Sequence, residues 1–232
     1  MSNLADKYPR ISDMRKRALR RIPHFAAEYL FSGTGYDRAM DYNQEILKNV
    51  FLTPRYLKGT VEADLKTKLF DRVYDAPFGI APIGMTSLIW PGAELSLAKL
   101  ASKVNIPYTL STVACASIEN VAKHLDNKGW FQLYPPKDKS IRDDLLKRAY
   151  DSGFYSGQDI VKGLMLGADF VMVGRPFVIA LAALGARGAA HAHYIIKHEI
   201  ENIMEQVCAK NIKELKRETV NVGKDFFLGS LE

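Results

Sequence analysis

The chain has 232 residues, 47% of them hydrophobic and 25% charged, with no low-complexity tract. This composition is typical of a globular protein and excludes a disordered or fibrous one. The formal net charge of +6 would suit nucleic acid, a membrane surface or an anionic substrate. Because the basic residues are dispersed except at positions 15–21, and no nucleic-acid-binding motif accompanies them, we expect no binding to nucleic acid.

Three further features concern the compartment of the protein. Cys115 and Cys208 have neither a metal-binding nor a disulfide spacing, which fits a reducing environment. The first 21 residues are too polar for a secretory signal peptide. The longest apolar run, residues 170–186, is interrupted by Arg175 and Pro176, which favours a buried strand and helix over a membrane span. These features predict a cytoplasmic protein without membrane association.

The first 70 residues are predicted to form helices and an extended connection. Ser12 and Asp13 can cap a helix that ends at residue 21, and Pro23 can begin another. The predicted segments are helices over 12–21, 23–31 and 37–49, an extended connection over 51–60, and a small antiparallel strand or hairpin within 61–71.

Strands and helices alternate beyond residue 71. Strands are predicted over 78–81, 108–111, 130–134 and 170–173, and helices over 94–103, 117–125, 140–150 and 158–166. Successive βα units imply a parallel sheet with functional groups at the carboxyl ends of its strands. The last strand ends at Gly174 and Arg175 with a helix to follow, where backbone N–H groups and a guanidinium can bind a phosphate. The alternative is a plain turn.

Six segments, in order, resemble the FMN-dependent 2-hydroxy-acid dehydrogenase and oxidase family, which includes glycolate oxidase, lactate dehydrogenase and mandelate dehydrogenase. They are EYLFSG (28–33), APFGIAPIGM (76–85), TLST (109–112), WFQLY (130–134), DSGFYSGQD (151–159) and LGADFVMVGRPF (166–177). The resemblance implies an α/β fold, the TIM (β/α)8 barrel, with FMN at the carboxyl face of the strands.

The resemblance also assigns site residues. It places Pro82, Ile83 and Gly84 beside the isoalloxazine ring, and Ser111 and Gln132 at the polar edge of that ring. The ribityl phosphate would be held by Asp151, Gly153, Gly174 and Arg175. The substrate, a small 2-hydroxy acid, would meet the hydroxyls of Tyr29 and Tyr134. Spacing alone would instead make Tyr29 a core residue of its helix.

The chain departs from the family in one large respect, because the predicted helix 140–150 runs directly into the DSG turn at Asp151. The fourth, fifth and sixth βα units and the seventh strand have no counterpart. A whole barrel needs about 250 residues. We therefore expect one internally truncated domain over residues 1–232, an incomplete barrel of strands 1, 2, 3 and 8 in the order 8-1-2-3. Its parts are N-terminal helices and connection (1–70), partial barrel (71–186), and C-terminal helix and tail (187–232).

The missing half would carry the catalytic groups of the family, namely a general-base histidine, a substrate-binding arginine and a flavin-stabilising lysine. None of the five histidines is followed by glycines at a strand end, so we assign no catalytic residue. His191, His193 and His198 could suggest a metal, but we interpret their segment as a solvated helix and expect no metal. Val113 stands where some members carry an aromatic group over the substrate.

Three functions stay open from the sequence. The first is a flavoprotein oxidoreductase that converts a small L-2-hydroxy acid such as lactate, glycolate or mandelate to the 2-oxo acid. The second is an inactive remnant that binds flavin weakly or acts as an interaction module. The third is a basic βα protein without a cofactor. The open edges of half a barrel invite association into a homo-oligomer, or, more simply, lower stability.

Overall fold

The computed structural model describes residues 2–33, 35–70, 72–125, 129–132, 134, 164, 168–215 and 220–222. The helix predicted over 140–150 and the DSG turn lie outside the described residues, and so does nearly all of the helix predicted over 158–166.

The N-terminal region is helical, as predicted. Its elements are α1 (Ser2–Lys7), a 3-10 helix (Ile11–Met14), α2 (Arg15–Leu19), α3 (His24–Phe31) and α4 (Arg38–Lys48). The helix predicted over 12–21 is corrected to a 3-10 turn followed by the short α2. The carboxylate of Asp13 accepts a hydrogen bond from the backbone N–H of Arg10 (3.0 Å), so the capping interaction begins at Arg10 and precedes the predicted start.

Two antiparallel pairs flank the main sheet. β1 (Val50–Leu52) pairs with β8 (Val220–Val222), so the predicted extended connection begins with a strand. β2 (Thr67–Leu69) and β3 (Arg72–Tyr74) form a hairpin, which confirms the second of the two predicted alternatives for this region.

Four parallel strands form the centre of the fold. They are β4 (Phe78–Ile80), β5 (Thr109–Ser111), β6 (Trp130–Gln132) and β7 (Val171–Val173). β7 pairs with β4, β5 pairs with β6, and a parallel bridge between Ile80 and Tyr108 joins the two pairs. Among the described strands the order is therefore β7-β4-β5-β6, which is the predicted 8-1-2-3 order of barrel strands. All four carboxyl ends lie at one edge.

The remaining helices cover this sheet. They are α5 (Thr86–Ile89), α6 (Ala93–Lys103), α7 (Ile118–Ala122), α8 (Arg175–Leu184), α9 (Ala186–Gln206) and a 3-10 helix (Ile212–Glu214). Within the described part of the chain, no helix combines the length and the apolar character that a membrane crossing requires.

Helix α8 lies at the centre of the core, because every residue from Pro176 to Ala183 is buried. It packs against both α2 and α9. Its last carbonyls are capped from α2 and from the turn that follows it, since Arg17 Nε donates to the carbonyl oxygen of Ala183 (2.7 Å) and Arg21 Nε donates to that of Ala182 (3.1 Å). The N-terminal helices and the parallel sheet therefore share one core.

The histidine-rich segment is helical, as predicted, but the prediction that it is solvated is wrong at His191. The segment lies inside the 21-residue helix α9, and His191 is only 6% exposed. Its Nε2 atom lies 2.8 Å from the carbonyl oxygen of Tyr8, at the end of α1. The apolar residues Ile195, Ile196 and Ile200 continue the same buried face, so packing against the core determines the position of the histidine.

Candidate functional site

The loops that follow β4, β5 and β6 are joined by hydrogen bonds at the carboxyl edge of the sheet. The N–H of Met85 donates to the carbonyl oxygen of Val113 (2.9 Å). The hydroxyl of Thr112 donates to the carbonyl oxygen of Gln132 and accepts from the N–H of Tyr134 (3.1 Å). The three loops therefore form one continuous surface.

Gly84 lies in a crowded part of this surface. A Cβ atom at this position would overlap Cγ2 of Val113 and lie 3.2 Å from the hydroxyl oxygen of Tyr29. Glycine is thus required here by two neighbouring side chains. The sequence analysis attributed the glycine to the flavin ring and did not anticipate either neighbour.

Tyr29 and Tyr134 come together at the same edge. The hydroxyl of Tyr29 donates to the carbonyl oxygen of Gly84 (3.1 Å). Partial burial raises the pKa of Tyr29, and the nearby phenol of Tyr134 raises it further. Tyr29 is 48% exposed and Tyr134 is 53% exposed, so Tyr29 is a surface residue and the core position favoured by spacing alone is wrong.

Ser111 and Gln132 are register partners on adjacent parallel strands, which sets their side chains next to each other at the end of the sheet. Ser111 is 3% exposed. Its hydroxyl oxygen accepts a hydrogen bond from the N–H of Val113 (3.3 Å). Ser111 and Gln132, which were predicted to lie at the polar edge of the isoalloxazine ring, are therefore neighbours.

Thr109 is a candidate site residue to which the sequence analysis gave no role. It lies two positions before Ser111, so the two hydroxyls share one face of β5. Its Oγ1 atom is buried, and among the described residues it has no hydrogen-bond partner. A buried hydroxyl without a partner is costly in free energy. The signal in the sequence was the alternation of two hydroxyl residues along a strand that ends at the predicted site.

Gly174 and Arg175 begin helix α8. Gly174 is buried against the loop after β4, because a Cβ atom there would lie 3.2 Å from Cδ1 of Ile83. Arg175 is exposed, and its Nη1 donates to the sulfur of Met40 (2.9 Å), which is a weak acceptor. The N-terminus of a ten-residue helix therefore carries an accessible guanidinium, which is a suitable arrangement for an anion. Asp151 and Gly153 lie outside the described residues.

A cavity of about 860 Å³ lies elsewhere in the molecule and includes none of the predicted site residues. It opens between the first 3-10 helix, β1 and α9, with Arg10, Lys48 and Asn202 in its wall. Arg10 is paired with Asp13 and Lys48 with Glu45, so these two cations are already engaged. We therefore place the candidate site at the carboxyl edge of the sheet.

A family model and curated relatives match most of this chain. A family model described as FMN-dependent dehydrogenase matches residues 18–150 and 149–222, two segments that meet at residues 149–150. The L-lactate dehydrogenase of Xanthobacter autotrophicus is 33% identical over 179 residues, which are 77% of this chain and 44% of that protein. The L-lactate dehydrogenase of Ectopseudomonas mendocina is 38% identical over 142 residues, 61% of this chain and 38% of that protein. The chain thus spans less than half the length of these relatives.

Solved structures share the fold. A soluble mutant of the membrane-associated (S)-mandelate dehydrogenase from Pseudomonas putida superimposes with a TM-score of 0.81 at 20% identity, over 91% of this chain and 99% of that one. A mandelate oxidase bound to (S)-2-phenylpropionate gives a TM-score of 0.82 at 20% identity, over 93% and 99% of the two chains. These similarities place the α/β fold in the TIM-barrel class. Together with the family match over most of its length, they show that the chain belongs to the FMN-dependent dehydrogenase family.

Proposed function

We propose that this chain binds FMN at the carboxyl edge of β7-β4-β5-β6, in a site whose reaction in the family is the oxidation of a small L-2-hydroxy acid to the 2-oxo acid. The observation that carries the proposal is the meeting of hydroxyl, backbone and guanidinium groups at one sheet edge. The residues present fit the cofactor, because the buried Thr109 hydroxyl, which has no partner among the described residues, lies on the face it shares with Ser111.

Different parts of the edge suit different parts of FMN. The N-terminus of α8 and the guanidinium of Arg175 would hold the phosphate, with Asp151 and Gly153 proposed as further contacts. The backbone of Pro82, Ile83 and Gly84 would lie along the ring. Ser111 and Gln132 would hydrogen-bond its polar edge. The chemistry that FMN supplies when bound is acceptance of a hydride.

The two phenols suit the carboxylate of a 2-hydroxy acid. A raised pKa keeps the hydroxyl of Tyr29 protonated at neutral pH, and Tyr134 lies beside it. Both side chains are about half exposed and therefore accessible to a small solute. The Tyr134 hydroxyl would donate to the substrate carboxylate, and the Tyr29 hydroxyl would do so by exchanging its bond to the Gly84 carbonyl for one to the substrate.

Oxidation also requires a base for the proton of the substrate hydroxyl, and the histidines of this chain lie elsewhere. His24 begins α3, His124 follows α7, and the other three lie in α9. General-base catalysis contributes roughly 10²- to 10⁴-fold to rate. The position of the histidines away from this edge therefore favours a second function, in which the chain binds flavin with little or no turnover.

We propose that an internal deletion accounts both for the lack of a histidine at this edge and for the length of the chain relative to its relatives. The two matched segments meet at residues 149–150, where the sequence predicts the junction. We propose a single, internally shortened domain in the cytoplasm. Association of two copies through the edge at β6, where Phe131 is 41% exposed, is part of the same proposal.

The test is gel filtration of the purified chain with FMN, followed by anaerobic addition of L-lactate, glycolate or (S)-mandelate. Flavin that co-elutes and is bleached by one of these acids supports the dehydrogenase. Flavin that co-elutes and stays oxidised supports binding without turnover. If no flavin co-elutes, the proposed function is wrong.

Arg175→Gln sharpens the test. Loss of a charge-assisted hydrogen bond to phosphate weakens FMN binding by about tenfold to a hundredfold. The matched control is Arg20→Gln, an exposed arginine at the end of α2, which is expected to leave the Kd for FMN unchanged. Equal Kd values for the two variants would argue against phosphate binding at α8.

A further inference from the structure

Glu94 lies in the first turn of α6 and is completely buried, with 0% of its surface exposed. Its Oε1 atom accepts hydrogen bonds from the backbone N–H of Ser87 (3.3 Å) and of Cys115 (3.1 Å). Its Oε2 atom accepts from the hydroxyl of Ser87. One carboxylate therefore bonds two segments that are far apart in sequence.

A buried carboxylate is expensive unless hydrogen bonds or a cation compensate for the lost water. Burial alone would raise the pKa of Glu94, but hydrogen bonds, the strongest from Ser87 and weaker ones from its own backbone N–H, Thr86 and Cys115, hold that pKa below its usual value, so the group is an anion at neutral pH. The salt bridges found among the described residues do not include it. Burial and the charge of Glu94 together raise the pKa of Tyr108, which stays protonated. Such a costly group suggests a role beyond filling space.

The two bonded segments belong to the candidate flavin site. Ser87 lies in the first turn of α5, three residues after Gly84 and directly beyond the loop that follows β4, and Cys115 follows Val113 by two in the loop after β5. On the site side, the same loops meet where the N–H of Met85 donates to the carbonyl oxygen of Val113 (2.9 Å). From the buried side, Glu94 therefore links the start of α5 to the loop after β5. The exposed side of these two segments forms the candidate site.

We infer that Glu94 is a positioning residue of the flavin site: its buried carboxylate holds the loops after β4 and β5 together and so fixes the backbone of Pro82, Ile83 and Gly84. The inference rests on the proposed function for its consequence in flavin binding. The hydrogen bonds themselves are independent of any ligand.

The experiment compares four variants by amide hydrogen exchange and by FMN titration. Glu94→Ala removes all three acceptor interactions, so we expect the amides of Ser87 and Cys115 to exchange at least about tenfold faster and FMN to bind about tenfold more weakly. Glu94→Gln retains an oxygen for the two amides, and its NH₂ group can donate to the Ser87 hydroxyl. We expect this conservative variant to restore both quantities to within about threefold of the wild-type values.

Two further variants keep the test decisive. Glu119→Gln, at an exposed glutamate in the first turn of α7, is the matched control and changes neither quantity. Ser87→Ala removes one partner of Glu94 without a large change in volume. If Glu94→Ala fails to fold, faster exchange at Cys115 and weaker FMN binding in Ser87→Ala support the inference, and unchanged values overturn it.

The outcomes separate this inference from the function on which it rests. Unchanged exchange in Glu94→Ala shows that the carboxylate does not hold the loops. Faster exchange with unchanged FMN affinity overturns the positioning role. Failure of the wild-type chain to bind FMN overturns the proposed function, whereas the exchange rates, measured without flavin, still decide whether Glu94 fastens the loops.

Discussion

The hydroxyl of Tyr29 donates a hydrogen bond to the carbonyl oxygen of Gly84 across a distance of 3.1 Å. This bond joins α3, in the N-terminal helical region, to the loop that follows the first strand of the parallel sheet. The helix therefore contributes to the site edge as well as to the core, and Tyr29 holds the peptide proposed to lie beside the flavin ring.

Tyr29→Phe removes this hydrogen bond and leaves the carbonyl of the buried Gly84 without its donor. We expect the free energy of unfolding to fall by about 0.5–1.5 kcal/mol, measured by urea denaturation. Tyr36→Phe is the control, because Tyr36 is 89% exposed and its hydroxyl faces water. Equal stability of the two variants would mean that the Tyr29 hydrogen bond makes no net contribution.

Thr109→Val tests the β5 hydroxyl that has no hydrogen-bond partner in the described part of the chain. The substitution keeps the shape and removes a buried polar atom, so without flavin we expect the chain to become more stable by about 1 kcal/mol. If the hydroxyl contacts bound FMN, the same variant also weakens FMN binding, as measured by absorbance titration.

The control for Thr109 lies at the end of the same strand. Thr112 donates to the carbonyl oxygen of Gln132 and accepts from the N–H of Tyr134, so Thr112→Val is expected to destabilise the chain. The two changes therefore have opposite signs. A loss of stability in Thr109→Val would contradict the assignment of its hydroxyl as unsatisfied.

Gly188 allows α9 to pack closely on α8. A Cβ atom at this position would overlap the carbonyl group of Ala180 and lie 2.7 Å from the backbone nitrogen of Leu181. Alanine normally stabilises a helix interior by about 1 kcal/mol relative to glycine. Here we expect Gly188→Ala to lower the free energy of unfolding by about 3 kcal/mol, because backbone cannot yield as a side chain can.

Gly33→Ala is the comparison, since a Cβ atom there would meet only the carboxylate oxygen of Asp37 at 3.2 Å and the Cβ of Met40 at 3.8 Å. We expect its thermal midpoint to stay near that of the wild type. A stable Gly188→Ala protein with an unchanged midpoint would show that α8 and α9 can separate at little cost.

The parallel sheet could be predicted because its signal is local. Short apolar runs such as Phe78–Ile80 and Val171–Val173 stand between turn residues, and βα alternation sets their direction. The pairing of β1 with β8 could not be predicted in this way, since Val50 and its partner Val222 are separated by most of the chain. The burial of His191 was missed because it depends on contact with Tyr8, from the other end of the chain.

The residues of the candidate site show the same division between local sequence signals and contacts that depend on the fold. The resemblance to a family indicated Tyr29, Ser111 and Gly174, whose residue types are themselves motif elements. It gave no role to Thr109 or Glu94, because an unpartnered hydroxyl and a buried acceptor are defined by neighbours in space. Sequence patterns indicate which segments meet, whereas hydrogen-bond partners emerge only from the packed structure.

The last prediction concerns His193, whose ring contacts the buried Phe78 with centroids 5.8 Å apart. Burial, with a smaller contribution from Lys197 one turn away, lowers the pKa of His193 from 6.5 to about 4. Between these values the unfolded chain binds a proton that the folded chain does not. Above pH 6.5, His193 therefore does not reduce the free energy of unfolding. As the pH decreases toward about 4, His193 lowers the free energy of unfolding by about 3 kcal/mol in total.

His193→Phe keeps an aromatic ring against Phe78 and removes the titration. We expect the free energy of unfolding, measured by urea denaturation across this pH range, to decline less steeply in the variant than in the wild type. Carboxylates titrate in both proteins, so the difference between the two curves isolates the histidine. His198→Phe, at an exposed position of the same helix, controls for the addition of a phenylalanine ring to α9. Parallel curves for the wild type and His193→Phe would show that protonation of His193 does not destabilise the folded protein.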